Sequence, residues 1–139
     1  MGGVQRSSRS APGFSPRRRV LVADDHQTLR GIIAEALRAE GFQVDEVSSG
    51  EAALECLRDD GHCAAVLDVR MPGIDGMAVA AAIRDQALRC TPIVVSAVAD
   101  DETRRRAAVL GAPFHQKPFQ LDALLHDVRS ACEDEPALP

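Results

Sequence analysis

Residues 19–25 have the sequence RVLVADD, and residues 64–68 have the sequence AAVLD. Each stretch is a short apolar run, which is typical of a buried strand, and each ends in acidic residues. Gathering Asp24, Asp25 and Asp68 at the ends of buried strands costs free energy unless a cation or a reaction compensates for it. The two stretches therefore indicate buried strands and, at their ends, a candidate functional cluster.

The rest of the chain alternates between strand-like and helix-like segments, with a period of roughly 20 to 25 residues. The predicted strands are residues 20–23, 43–47, 64–68, 92–96 and 114–116, and the predicted helices are residues 28–40, 50–60, 76–88, 100–110 and 121–132. Strands that alternate with helices in this way form a parallel sheet covered on both faces. The sequence thus predicts an α/β fold with a doubly wound, five-stranded parallel sheet.

Strand order decides where a ligand would bind on such a sheet. Ligands lie outside the carboxyl ends of the strands, at the point where the order reverses. For the order 2-1-3-4-5, this point falls between the strand that ends in Asp24 and Asp25 and the strand that ends in Asp68. The same reasoning adds Ser96 at the end of the fourth strand and Lys117 just after the fifth. These polar side chains are therefore expected at one edge of the sheet.

Three carboxylates, a hydroxyl and an ammonium around one pocket indicate a particular chemistry. Hard oxygen ligands suit Mg2+ better than Zn2+. Lys117 and Ser96 could bind phosphate oxygens while a carboxylate acts as the nucleophile, so the set suits in-line phosphoryl transfer. A structural alternative is that Asp24 and Asp25 cap the following helix and that Asp68 caps a turn before Pro72.

The composition is that of a soluble globular protein, with 139 residues, 45% hydrophobic and 27% charged. The net charge is −5, although residues 1–19 contain five arginines and no acidic residue. We expect a flexible basic extension at residues 1–17, one domain at 18–132 and a short polar tail at 133–139. Apolar stretches stay shorter than the ~18 residues of a membrane span, and the N-terminus lacks a signal-peptide core, so we expect a cytoplasmic protein.

The four cysteines are Cys56, Cys63, Cys90 and Cys132. They show no C-x-x-C pairing, and most of them lie in Ala- or Leu-rich surroundings, as buried reduced thiols do. We therefore predict neither a metal site nor a disulfide for them. The histidines are dispersed along the chain, which also argues against a zinc site.

Four motifs carry a resemblance to a known family. They are LDVRMPGIDG at residues 67–76, the Asp24-Asp25 pair, Ser96-Ala97, and KPF at residues 117–119. Together they resemble the receiver domain of two-component response regulators, in particular the stand-alone, chemotaxis-regulator-like type. The resemblance covers roughly residues 18 to 132. It implies a flavodoxin-like three-layer sandwich with the strand order 2-1-3-4-5.

The resemblance also implies a role for each acidic residue. Asp68 would be the phosphoacceptor and would take a phosphoryl group from a sensor histidine kinase or a phosphotransfer protein. Asp25 and Asp68 would bind Mg2+ directly, together with the main-chain carbonyl of Arg70. Asp24 would act on the ion mostly through water.

The remaining motifs imply how the signal leaves the site. Lys117 would pair with the phosphoryl oxygens, and its bond to Pro118 would be cis. Ser96 would turn inward to bind the phosphoryl group. Phe114 takes the place of the switch aromatic, which is most often a tyrosine in the family, whereas this chain contains no tyrosine. Phe114 lacks the hydroxyl, so its coupling to the surface is expected to differ.

The implied function is a phosphoprotein of phosphorelay signal transduction that acts on a downstream protein target. It would not be an enzyme, apart from slow self-dephosphorylation, and would bind neither nucleic acid directly nor a membrane. It would be a monomer or a phosphorylation-dependent dimer. Two alternatives stay open: an Mg-dependent phosphohydrolase that works through an aspartyl phosphate, and the receiver part of a longer DNA-binding regulator.

Overall fold

A computed structural model of the chain describes residues 18–133. The predicted basic extension, residues 1–17, lies outside the described residues, as do residues 134–139 of the predicted polar tail. Within the described range, no helix is both long enough and apolar enough to cross a membrane.

Strands and helices alternate along the described chain. The strands are β1 (Arg19–Ala23), β2 (Gln43–Val47), β3 (Ala64–Asp68), β4 (Thr91–Ser96) and β5 (Phe114–Gln116). The helices are α1 (Gln27–Ala39), α2 (Gly50–Cys56), α3 (Gly76–Asp85), α4 (Asp101–Val109) and α5 (Leu121–Glu133). Every predicted strand and helix is therefore present, and the differences concern only the bounds.

The strands form one parallel sheet in the order β2-β1-β3-β4-β5. β1 pairs with β2 on one side and with β3 on the other, so the strand order reverses between β1 and β3. Ala23 lies opposite Leu67 in this register, which puts the residues that follow β1 beside the end of β3. The predicted fold class and the strand order 2-1-3-4-5 are confirmed.

Two apolar layers, one on each face of the sheet, hold the helices. Val20 and Val22 belong to the layer under α1 and α5, whereas Leu21 and Ala23 belong to the layer under α2 and α3. Because β1 is buried on both faces, its sequence is a continuous apolar run rather than an alternating one. Burying one such Val or Leu side chain stabilises the fold by about 1.5–3 kcal/mol. The acids at the strand ends therefore follow strands that are held in place by packing on both faces of the sheet.

Two helices end earlier than predicted. α2 ends at Cys56, a single 3-10 turn (Leu57–Asp59) follows, and Asp60 is left-handed with φ 51°. α3 ends at Asp85, and Ala87 is left-handed with φ 54°. The predicted ends at residues 60 and 88 are wrong because a left-handed helix end is usually marked by glycine, and neither of these ends has one.

The prediction that all four cysteines are reduced is wrong for one pair. Cys63, just before β3, and Cys132, in the last turn of α5, form a disulfide. Cys56 and Cys90 are buried thiols outside this disulfide. The two joined residues are 69 positions apart in the sequence. Only the packing of α5 on the sheet brings them together, so no local pattern could predict the pairing.

Candidate functional site

The three predicted acids meet at the carboxyl edge of the sheet. Asp68 is the last residue of β3, and Asp24 and Asp25 follow the last residue of β1. One carboxylate oxygen from each lies within 4.8 Å of the others. Asp24 and Asp68 are buried, with 1% and 4% of their surface exposed, whereas Asp25 is exposed. The structure thus brings the three acids together.

Backbone and arginine contacts fix Asp24 in this cluster. Its N–H donates to the carbonyl oxygen of Val47 at 3.1 Å, and its Oδ1 accepts the N–H of His26 at 2.8 Å. Its own carbonyl oxygen accepts a bond from Nη1 of Arg30 at 2.9 Å. Arg30 could not be predicted from the sequence, because nothing in the pattern separates it from the arginines of the surface.

The acidic pair does not cap α1. Nδ1 of His26 accepts the N–H of Leu29 at 3.2 Å, so His26 is the N-cap of this helix. The structural alternative for Asp24 and Asp25 is therefore wrong. Asp68 does accept the N–H of Arg70 through Oδ1, but at 3.4 Å this bond is long. Besides the N–H groups of His26 and Arg70, the carboxylates lie close to one another, and two of them lie close to Lys117.

The Lys117 ammonium lies between the two buried acids. Its Nζ is 3.3 Å from Oδ2 of Asp68 and 3.5 Å from Oδ2 of Asp24. Burial, followed by the charge of Asp24, raises the pKa of Asp68 from its ordinary value of 3.8 to about 6, although Lys117 acts in the opposite direction.

The charges and donor atoms of the cluster fit a hard divalent cation. Three ionised carboxylates and the Lys117 ammonium leave a net charge of −2. All ligand atoms that the cluster offers are oxygens, and the exposed carboxylate of Asp25 opens it to solvent. Oxygen donors that leave positions for water are those that Mg2+ prefers.

Ser96, the last residue of β4, lies at the same edge. It is fully buried, and its Oγ accepts the N–H of Val98 at 2.9 Å. Its carbonyl oxygen accepts the N–H of Lys117 at 2.8 Å, which ties the end of β4 to the connection after β5. The peptide bond between Lys117 and Pro118 is cis, as the resemblance implies.

Phe114, the first residue of β5, is half-buried beside α4. The guanidinium of Arg104 lies 5.0 Å from the centroid of its ring. Arg104 also donates to Oε1 of Gln116 at 3.2 Å. A cation–π contact at an exposed site contributes about 0.5–1 kcal/mol. An aromatic ring without a hydroxyl is thus connected to α4 through an arginine.

A comparison with known protein families identifies the family of the chain that carries this acidic cluster. The model of the response regulator receiver domain matches residues 20–129 of the chain. The chain belongs to the response regulator receiver domain family. The resemblance of the sequence to receiver domains is therefore confirmed.

Curated relatives of this receiver domain are longer proteins. TcrA, a transcriptional regulatory protein of Mycobacterium tuberculosis, is 36% identical over 114 residues, which cover 81% of this chain and 45% of TcrA. GltR, a transcriptional regulatory protein of Pseudomonas aeruginosa, is 34% identical over 116 residues, which cover 81% of this chain and 48% of GltR. The chain therefore spans less than half the length of these relatives.

Solved receiver domains share the fold. The signal receiver domain of the putative response regulator NarL from Mycobacterium tuberculosis is 32% identical, with a TM-score of 0.77 and coverage of 87% of this chain and 100% of that domain. TrrA from Thermotoga maritima is 31% identical, with a TM-score of 0.72 and coverage of 81% and 97%. The TrrA structure is a complex with Mg(2+)-BeF.

The receiver domain also contains a second buried polar cluster. Asp45 in β2, Cys56 and His62 offer ligand atoms within 4.8 Å of one another. Nε and Nη2 of Arg19 both lie 2.9 Å from Oδ2 of Asp45, and Nε2 of His62 lies 2.8 Å from the same oxygen. Arg19 already supplies the cation that this buried carboxylate needs, so the cluster is structural. This cluster could not be predicted from the sequence, because its members come from separate elements.

The raised pKa of Asp68 predicts that Asp68→Asn stabilises the metal-free receiver domain. A carboxyl whose folded pKa lies above its ordinary value contributes stability below that ordinary value, and this contribution is lost as the pH rises through about 6. We expect the free energy of unfolding of the variant to exceed that of the wild type by about 1–3 kcal/mol near pH 8. Urea denaturation in the presence of EDTA measures this difference in the free energy of unfolding. A gain near pH 5 that equals the gain near pH 8 would contradict this prediction.

Proposed function

We propose that this receiver domain accepts a phosphoryl group on Asp68 from a sensor histidine kinase or a phosphotransfer protein. The observation that carries the proposal is the buried Asp68 carboxylate at the carboxyl end of β3, grouped with Asp24 and Asp25 and 3.3 Å from the Lys117 ammonium. A nucleophile, a fixed cation and ligands for a second cation share one pocket. With a pKa of about 6, Asp68 is mostly ionised at neutral pH and can act as the nucleophile.

The proposed transfer joins one carboxylate oxygen of Asp68 to phosphorus. The bond between phosphorus and the donor's imidazole nitrogen breaks, and the electron pair stays on that nitrogen. The product carries about −1.5 to −2 charges and three strong acceptor oxygens. The ammonium of Lys117, already next to Asp68, would bind one of these oxygens and stabilise the charge.

Mg2+ is the cofactor that we propose for this pocket. Asp25, Asp68 and the main-chain carbonyl of Arg70 would hold it directly, and Asp24 would act through water. The bound ion supplies charge neutralisation for the phosphoryl group during transfer. The all-oxygen donor set and the net charge of −2 support this assignment, and so does the Mg(2+)-BeF complex of the related TrrA.

We propose that the signal leaves the site through Ser96 and Phe114. The Ser96 hydroxyl would exchange the N–H of Val98 for a phosphoryl oxygen. This turn draws the β4–α4 connection toward the site, and Phe114 follows it inward and loses the contact with Arg104. The phosphoryl group thereby biases an existing equilibrium between two surfaces formed by α4, β5 and α5. A downstream protein would read the difference.

The role that we infer is that of a cytoplasmic signalling phosphoacceptor rather than an enzyme. The domain would dephosphorylate itself slowly and act as a monomer or as a phosphorylation-dependent dimer, without binding nucleic acid or a membrane itself. A second candidate role is the receiver part of a longer transcriptional regulator. The lengths of TcrA and GltR, of which the chain covers 45% and 48%, favour this second role.

Acetyl phosphate tests the proposal directly. The protein is incubated with Mg2+ and this small phosphodonor, and the intact mass is followed with time. One added phosphoryl group that persists for minutes, and that EDTA prevents, supports the phosphoacceptor. Continuous release of phosphate from varied phosphoesters without a mass increase would support the phosphohydrolase. Neither a mass increase nor phosphate release would contradict both.

The proposed ion site predicts that substitutions of two exposed acids have different effects on the stabilisation by Mg2+. Mg2+ should raise the melting temperature of the wild type by a few degrees, since a ligand that binds only the folded state stabilises it. Asp25→Asn should remove most of this increase, because Asp25 is a proposed ligand. Asp101→Asn, at an exposed position in the first turn of α4, is the control and should keep it. Thermal melts with and without Mg2+ measure these increases in melting temperature. Equal increases in both variants would refute the assignment of Asp25 as a ligand.

A further inference from the structure

We propose that Cys63 and Cys132 form a reversible, redox-controlled cross-link that fixes the C-terminal end of α5 to the sheet. Both residues are buried, with 1% and 8% of their surface exposed. Their Cα atoms are 5.0 Å apart, within the range that a disulfide spans without backbone movement. The cross-link lies at the amino end of β3, whereas Asp68 lies at its carboxyl end. This inference does not depend on the proposed phosphorylation of Asp68.

Cys63 is the rigid partner of the cross-link. Its N–H donates to the carbonyl oxygen of Arg19 at 2.8 Å, and its carbonyl oxygen accepts the N–H of Thr91 at 3.1 Å. The residue is therefore held between the starts of β1 and β4. Its side chain belongs to the apolar layer under α1 and α5. A bond to Cys63 is thus a bond to the sheet itself.

Cys132 is the mobile partner because it lies in the last turn of α5. Helix ends lack part of their backbone hydrogen bonds and open more easily than helix centres. The next tie on the same helix is Arg129, whose Nη1 lies 3.0 Å from both carboxylate oxygens of Glu40. That pair is partly open to solvent, and such ion pairs contribute little. Beyond Arg129, the end of α5 is held by the apolar packing of Ala131 and Cys132 and by the disulfide, which is the covalent restraint.

A small disulfide such as oxidised glutathione can form the cross-link by thiol–disulfide exchange. When the last turn of α5 opens, the Cys132 thiolate attacks one glutathione sulfur and releases one glutathione thiolate. The Cys63 thiolate then attacks the Cys132 sulfur of the mixed disulfide and releases the second. The two cysteines lose two electrons and two protons, and the glutathione disulfide becomes two thiols. Excess reduced glutathione reverses both steps.

The cross-link closes a loop of 69 residues. A closed loop reduces the conformational entropy of the unfolded chain, so the oxidised form should melt about 10 °C above the reduced form. Oxidation should also protect the backbone amides of the last turn of α5 from hydrogen exchange by at least about tenfold, since the cross-link makes the opening of that turn rarer. The redox state of the two thiols would thus determine how often the last turn of α5 opens.

Tryptic mapping tests the pairing, because cleavage after the arginines leaves each cysteine on a separate peptide. The protein is equilibrated with oxidised or with reduced glutathione, and thiols are then trapped with N-ethylmaleimide in denaturant. The oxidised sample should carry two maleimide groups, and peptide 59–70 should be linked to peptide 130–139. The reduced sample should carry four. Four labelled cysteines in both samples, or another pairing, would overturn the proposal.

Variants test whether the cross-link acts on α5. Cys132→Ala should abolish the redox-dependent change in melting temperature and in amide exchange. Cys90→Ala, which removes a buried thiol outside the disulfide, is the matched control and should keep both changes. Melting temperatures and exchange rates are compared in the two glutathione buffers. The inference is contradicted if Cys132→Ala keeps the full redox-dependent change in melting temperature and amide exchange. It is also contradicted if the wild type shows no difference between the two glutathione buffers.

Discussion

Asp68→Asn is expected to reduce phosphoryl incorporation from acetyl phosphate by at least about 100-fold, which places it below detection by intact mass. The amide has almost the same shape as the carboxylate, but it carries no negative charge and is a poor nucleophile. Asp24 and Asp25 cannot substitute for Asp68, because on the proposed mechanism they hold the ion rather than the phosphoryl group. Intact mass after incubation with Mg2+ and acetyl phosphate measures the effect.

Two comparisons separate this loss from unfolding. If Asp68→Asn shows the stability gain that is predicted for the metal-free protein, a damaged fold does not explain the loss of the mass increase. Asp85→Asn, at the exposed end of α3, changes another acid to its amide and should accept the phosphoryl group at the wild-type rate. A phosphoryl group that persists in Asp68→Asn would mean that the acceptor is another residue.

Gly76→Ala is expected to lower the free energy of unfolding by about 3 kcal/mol or more. Gly76 is the first residue of α3 and packs against the end of β3. A Cβ at this position would overlap the carbonyl oxygen of Asp68 and would lie 2.8 Å from its carbonyl carbon and 3.1 Å from Cα of Val69. Backbone atoms cannot move aside as a flexible side chain can, so either α3 or the end of β3 must shift. Urea denaturation followed by circular dichroism measures the loss.

Gly31→Ala is the matched control for this substitution. Gly31 lies within α1, and among residues 18–133 no atom other than those of Gly31, its two chain neighbours and the nearby backbone of α1 comes within 4 Å of the position that its Cβ would take. Alanine is favoured over glycine inside a helix, so this variant should gain about 0.5–1 kcal/mol. If both variants lose the same amount of stability, the close approach of Gly76 to Asp68 does not explain the cost.

Strand recognition and the rules of parallel sheets were sufficient to predict the fold class, whereas the strand order came from the resemblance to receiver domains. The apolar runs before Asp24 and Asp68 read as buried strands because they are short, continuous and free of polar residues. Once the order 2-1-3-4-5 is assumed, the carboxyl ends of these strands must meet at one edge. The grouping of Asp24, Asp25 and Asp68 in the structure follows from that geometry and needs no knowledge of side-chain packing.

Contacts between distant side chains could not be predicted in the same way. The pairing of Cys63 with Cys132 depends on how α5 packs, and the left-handed turn at Ala87 has no glycine to signal it. His26 caps α1 in place of the acidic pair that the structural alternative named, because a histidine nitrogen can accept the same bond as a carboxylate. Such contacts depend on relative positions that periodicity does not encode.

The contact between Arg104 and Phe114 joins the outer face of α4 to the edge of the sheet. A partner whose carboxylate drew the guanidinium of Arg104 away from the ring would separate Arg104 from Phe114. On the proposed mechanism, phosphorylation favours the same separation. Linkage then requires that the two events favour each other by the same factor. The downstream protein would not only read the phosphorylated state but would also stabilise it, so that the abundance of the target helps to set how much of the regulator is active.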